Sequence, residues 1–167
     1  MALYVHLTPE SQAAQIRRVG IRRAVVPFRE RPGGIFAMPV TRHFQVSHQW
    51  LRELKRFKRG PMFGVYFRIG DDEPVWVGHY GQPHAKMTAA DALASFSGPE
   101  ERQGWEVIIP RAIEPGEIHR IRALPQLVGW RFFPAAKGKP PFCTCKSCTR
   151  GEYGSARLRQ RIGEKDV

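Results

Sequence analysis

Three cysteines fall within six positions, as Cys143-Thr144-Cys145-Lys146-Ser147-Cys148. Thiolates at Cys-x-x-Cys spacing supply two corners of a zinc tetrahedron from one tight turn. Cys143, Cys145 and Cys148 together offer three ligands, which leaves the fourth to His84, to His119 or to a partner chain. The same run also reads as reduced thiols on an exposed tail or as a redox-active cluster, with Lys146 and Arg150 favouring thiolate in each case. His79 and His84 flank a turn, and His43 and His48 flank a helix start. Imidazole titrates near neutrality, so any of them can act as a general base, and each alone reads equally as a packing or surface histidine.

An odd, clustered set of cysteines argues against a secreted disulfide framework. No signal-like segment and no run of about 18 apolar residues is visible, so a cytoplasmic protein with no membrane partner is expected. The net charge is +12 over 167 residues, which points to a polyanionic partner such as nucleic acid. That charge is uneven. Residues 1–59 carry 12 Lys and Arg against 3 acids, residues 60–130 carry 6 against 9, and residues 131–167 carry 9 against 3. Two basic flanks enclose a mildly acidic middle, which suits an enzyme that grips a polyanion while acidic groups do chemistry. A solvated basic surface with no partner is the plain alternative.

These residues need a scaffold. Leu3–Leu7 reads as a strand. Thr8-Pro9-Glu10 reads as a helix start with Thr8 as cap, and Gly20 as its stop. Residues 21–34 form an Arg/Pro/Gly-rich loop, followed by a short strand over 35–40 that Pro39 ends or confines to an edge. Ser47 is expected to cap a second helix with an apolar stripe of Trp50, Leu51, Leu54 and Phe57. Arg52, Lys55, Arg56, Lys58 and Arg59 crowd the rest of its surface, a candidate nucleic-acid-binding face, though basic residues at a helix end also complement its dipole. Alternation over 63–69 and 75–79, with Asp71-Asp72-Glu73-Pro74 between, predicts a hairpin. A short helix capped by Thr88 follows, then strands over 105–109, 118–124 and 128–133. The order favours an α+β fold, a mixed, mainly antiparallel sheet packed by two or three helices. That core spans 1–133. Residues 134–167 form a Pro/Gly linker, the cysteine cluster and a basic tail. In the tail Arg150, Arg157, Arg159 and Arg161 suit a nucleic-acid anchor beside a zinc knot, and equally a disordered charged terminus.

Two patches carry a resemblance. Tyr4-Val5-His6-Leu7-Thr8, followed by Ile16-Arg17-Arg18-Val19-Gly20-Ile21, resembles the opening strand and helix of ADP-ribosyltransferase-like domains. Glu106-Val107-Ile108-Ile109-Pro110, followed by Ile113-Glu114-Pro115-Gly116-Glu117-Ile118, resembles their glutamate-bearing strand. The similarity covers roughly residues 3–124 in short patches, and the superfamily includes diphtheria-toxin-like enzymes and the NAD-dependent RNA 2′-phosphotransferase. The resemblance implies NAD as co-substrate and transfer of ADP-ribose to a nucleic acid or other polyanionic acceptor, with a role as a toxin or defence component. It implies Glu106 as the carboxylate that stabilises charge on the ribose as the nicotinamide bond breaks. It implies His6 as the group that holds the nicotinamide ribose, with Thr8 beside it. Where the family places a Tyr on a central strand, this chain has Ile35-Phe36-Ala37-Met38-Pro39. Phe36 offers a stacking face without a hydroxyl, and Tyr66 or Tyr80 can serve from another strand.

Two other readings accompany this one. In the phosphotransferase variant, Arg17, Arg18 or Arg22 meets the phosphate. In a non-catalytic reading, a zinc-stabilised module binds DNA or RNA, with Trp76, Tyr80, Trp105 and Trp130 available to stack on bases.

Overall fold

The computed structural model describes residues 1–22, 33–58, 60–97 and 102–124. Within them the fold is α+β. Seven strands, β1 (Ala2–Pro9), β2 (Ile35–Pro39), β3 (Met62–Ile69), β4 (Pro74–His79), β5 (Ala85–Thr88), β6 (Trp105–Ile109) and β7 (Ile118–Ala123), lie in the order β5-β4-β6-β2-β1-β3-β7. Every neighbouring pair is antiparallel. Four helices accompany them: α1 (Glu10–Val19), α2 (Phe44–Ser47), α3 (Leu51–Phe57) and α4 (Ala89–Ser95).

The middle strand decides the shape of the sheet. β2 uses Met38 and Pro39 to pair with Val5 and Tyr4 of β1, and uses Ile35, Phe36 and Ala37 to pair with Ile109, Ile108 and Val107 of β6. Its two halves serve different neighbours. Beyond Val5 the first strand runs on beside β3 alone, in register through Pro9 opposite Met62. A strand that changes partners along its length makes a corner between two sheet halves. The halves are β1-β3-β7 and β6-β4-β5, and they part at the start of β2.

The core is packed by Tyr4, Val65, Phe67 and Ile69 from one half and by Val75, Val77, Val107 and Ile109 from the other, with Ala89, Ala92 and Phe96 of α4 above. Tyr4 donates its hydroxyl to the Ala89 carbonyl at 2.9 Å, and burial pushes that phenol's pKa up.

Several local expectations change. The segments 63–69 and 75–79 are both strands but do not pair with each other: β3 lies between β1 and β7, and β4 between β5 and β6. The Asp71-Asp72-Glu73 turn therefore carries the chain across the split, from β3 to β4. Thr8 does not cap α1. It belongs to β1 opposite Phe63, and its hydroxyl donates to Gln12 Oε1 at 3.0 Å, while Pro9 holds the cap position. The second helix is broken in two, with Ser47 closing α2 and its Oγ accepting from the Thr41 amide at 2.8 Å. Thr88 does cap α4, accepting from the Asp91 amide at 3.1 Å. The short strand β5 carries no alternating pattern that reveals it. The expected strand over 128–133, the core boundary at 133, the linker and the tail lie outside the described residues.

Candidate functional site

Where β1 and β2 part, His6 takes up the gap. Its Nδ1 donates to the Phe36 carbonyl at 2.8 Å, so a side chain completes what a strand ladder would have satisfied. A neutral imidazole with a proton on Nδ1 has its lone pair on Nε2. Burial holds the His6 pKa below the usual imidazole range, against the opposing pull of that carbonyl. The ring is thus a neutral acceptor at neutral pH.

His6 lines a cleft of about 300 Å³ between α1 and the start of β2, with Gln12, Ile16, Arg22, Ile35 and Phe36 among its walls. Phe36 is 44% exposed, a large apolar ring left open to solvent. Two glycines let the floor close up. Gly20 has a φ of +77°, and a Cβ there would lie 2.1 Å from the Ile113 carbonyl; a Cβ on Gly34 would lie 2.4 Å from that of Ile109. Ile21 and Ile113 exchange both backbone hydrogen bonds, at 2.8 and 2.9 Å. The end of α1 is thereby pinned to the segment that follows β6. The cleft stands at the small end of ligand sites. An aromatic face, a neutral imidazole acceptor and one guanidinium stand in its walls.

Glu106 does not line this cleft. It lies on β6 opposite Gly78, and Oε1 sits 3.1 Å from Nε2 of His84, both side chains almost fully buried. The other ring nitrogen of His84 donates to the Gln82 carbonyl at 3.0 Å. The two side chains thus meet at ion-pair distance in the interior. Gly78 makes room for this arrangement, since a Cβ there would come within 2.8 Å of His84 Cγ. These contacts turn the His84 side chain inward, whereas His119 is exposed on β7.

The strand that carries Glu106 is braced from the Ser47–Trp50 turn. Ser47, His48 and Gln49 are polar yet buried. Gln49 donates to the Arg102 carbonyl at 3.0 Å and accepts from the Gly104 amide at 2.6 Å. The Trp50 indole donates to the Trp105 carbonyl at 2.7 Å. The sequence suggested Ser47 as a helix cap and Trp50 as part of an apolar stripe, and gave no sign that this turn braces β6.

The remaining candidates are scattered. Tyr66 is buried and bonded to His48, two strands from the start of β2. Tyr80 is 52% exposed and tilts against Trp50 at a ring separation of 5.6 Å. Neither lines the His6 cleft; Phe36 does. Thr8 is buried beside α1. Arg52 and Lys55 are half-buried and engaged with other groups, so the helix face they were read from is less open than its charge suggests. The side chain of Arg56, and Arg59, Arg150, Arg157, Arg159, Arg161, Cys143, Cys145 and Cys148, lie outside the described residues. Among the described residues no group of three or more His, Cys, Asp and Glu is arranged to hold a metal, and no helix is long and apolar enough to cross a membrane.

In comparisons with known proteins, no family model, curated protein or solved structure matches this chain.

Proposed function

We propose that this protein is an NAD-dependent transferase of the ADP-ribosyl type whose acceptor is a nucleic acid. The observation that carries the reading is His6 at the parting of β1 and β2. Its Nδ1 is fixed on the Phe36 carbonyl, so Nε2 accepts, and the ring lines a nucleoside-sized cleft. A neutral imidazole acceptor suits a ribose hydroxyl, which must donate. The exposed Phe36 ring supplies a stacking surface for a base.

In the reaction class proposed, the bond between ribose and nicotinamide breaks and nicotinamide leaves with the electron pair. The acceptor's lone pair closes on the ribose carbon, and its proton passes to a base. Glu106 is the carboxylate assigned to the developing positive charge. Its strand ends at Ile109, which Gly34 approaches, and this ties β6 to the floor of the cleft. The net charge of +12 supports a polyanionic acceptor. Zinc on Cys143, Cys145 and Cys148 is proposed as the brace of the basic tail, and cobalt substitution with its thiolate charge-transfer absorption tests it.

One observation favours a second reading. Glu106 lies against His84 in the interior and away from the His6 cleft. A carboxylate held so can be purely structural, and the chain is then a nucleotide- or nucleic-acid-binding module. NAD titration followed by thermal shift separates binding from its absence, and replacing His6 by Ala is expected to remove the shift.

A further inference from the structure

We propose that Arg120, Arg122 and Tyr66 form a binding site for the phosphodiester backbone of a nucleic acid, on the β7 edge of the sheet. The assignment rests on the nucleic-acid part of the function proposed above and is independent of its NAD chemistry.

Among the described residues β7 is an edge strand. Arg120 lies opposite Tyr66 and Arg122 opposite Gly64. Two residues apart on one strand, their side chains leave the same face about 7 Å apart. Both residues are exposed. Their guanidinium carbons lie 5.2 and 5.1 Å from the centre of the same Tyr66 ring. That ring leans over the position Gly64 leaves empty, where a Cβ would come within 3.0 Å of it.

The clamp is anchored in the core. Arg122 Nε donates to the Tyr66 hydroxyl at 3.1 Å, and that hydroxyl shares a 2.8 Å hydrogen bond with His48 Nε2. Tyr66 and His48 are each 1% exposed. One nitrogen of Arg122 is thus committed inward, and its two terminal nitrogens are left to meet a ligand. Holding two guanidinium groups over one ring costs electrostatic energy that an anion would offset. Among the described residues, neither forms an ion pair with a carboxylate. Arg111 shows the contrast, being satisfied by Glu73 and Glu117 together.

The face continues past the pair. Arg68 stands two residues beyond Tyr66 on β3 and is exposed. Three cations in a track, with no enclosing walls, fit an extended polyanion better than one small anion. Planar forks suit phosphate oxygens, and such contacts hold a backbone without reading its sequence.

The test is binding of a labelled single-stranded oligonucleotide to the full chain across a salt series. Each phosphate contact contributes about 0.7 to the slope of log affinity against log salt for single strands. R120Q/R122Q is expected to weaken binding about tenfold near physiological salt and to lower the slope by about 1.4. R42Q/K86Q removes the same charge from exposed positions off this face and is expected to change affinity less than about threefold. R120K/R122K is expected to fall between, keeping charge but losing the forks. Thermal midpoints show that each variant is folded. If the wild type binds and the two neutralised pairs behave alike, the arginines only guard a sheet edge and the assignment is wrong. If R120Q/R122Q loses inorganic phosphate but keeps the oligonucleotide, the site takes a small anion instead. If the wild type binds no oligonucleotide, the nucleic-acid reading itself fails, and the site with it.

Discussion

His6 shows how one bond can set the chemistry of a side chain. With Nδ1 committed to Phe36, the ring can only accept at Nε2, and burial opposes its protonation. The depressed pKa has a consequence for stability. An unfolded His titrates near 6.5, so the buried neutral ring contributes stability that is full above that value. It is lost as pH falls from there toward the lower folded pKa. Replacing His6 by Gln, which cannot titrate, is expected to flatten this share of the fall below about pH 6.5; denaturant midpoints on either side of that value check it. An unchanged pH profile would mean the ring is not held neutral. His6 and Glu106 were both legible as strand residues from their alternating neighbours. The partner of Glu106 was not, because His84 reaches it only through a turn that folds back over Gly78.

The parting of the two sheet halves depends on elements meeting at close range. Gly20 adopts a positive φ and touches the Ile113 carbonyl where any side chain would collide. Gly20→Ala is expected to cost about 2 kcal/mol or more, from backbone strain together with the clash, and to weaken any ligand of the cleft by releasing α1 from Ile113. Thermal unfolding and ligand titration of the variant measure the two effects. A second clip joins the turn before β4 to the 3₁₀ turn Pro115–Glu117 that precedes β7. Arg111 donates to Glu73 Oε2 at 2.8 Å and to Glu117 Oε2 at 2.8 Å. The guanidinium holds the Glu117 carboxyl below its ordinary range. That contribution is present above the unfolded carboxyl value near 4.3 and is lost as pH falls through the lower folded value. The stability gap between wild type and E117Q should accordingly shrink from pH 7 to pH 3 in urea unfolding. Helix α4, the turn at Asp71 and the strands at 105 and 118 could be read locally, from a cap, a breaker cluster and alternating apolar residues. The pairing of β3 and β4 could not, because nothing within either strand encodes that its neighbour lies across the sheet. The break after Ser47 was hidden for the opposite reason. The apolar stripe from Trp50 to Phe57 looks continuous, and only burial of Ser47, His48 and Gln49 reveals that the chain turns there to brace β6.

Over the whole molecule the composition spoke clearly and its placement did not. The net charge of +12 raised the expectation of a polyanionic partner, and the sequence drew attention to the α3 run, where the charges are densest. The fold instead presents Arg120, Arg122 and Arg68 beside a buried tyrosine, a grouping that arises only when β7 is laid against β3. Charge that is spaced by pairing has no signature in a linear run. The His6 cleft lies on β1, two strands in from that edge; His6 pairs with Val65 and the arginines with Tyr66 and Gly64, so the two proposed sites share one half of the sheet but lie on opposite faces. The most direct test of this arrangement is nicotinamide release from NAD by the purified full chain, with and without single-stranded nucleic acid. The expected result is release that rises with the nucleic acid and is lost in Glu106→Gln, with circular dichroism showing that this variant is folded at the assay temperature. No release by the wild type under either condition, or release unchanged in Glu106→Gln, would contradict a transferase built on this carboxylate.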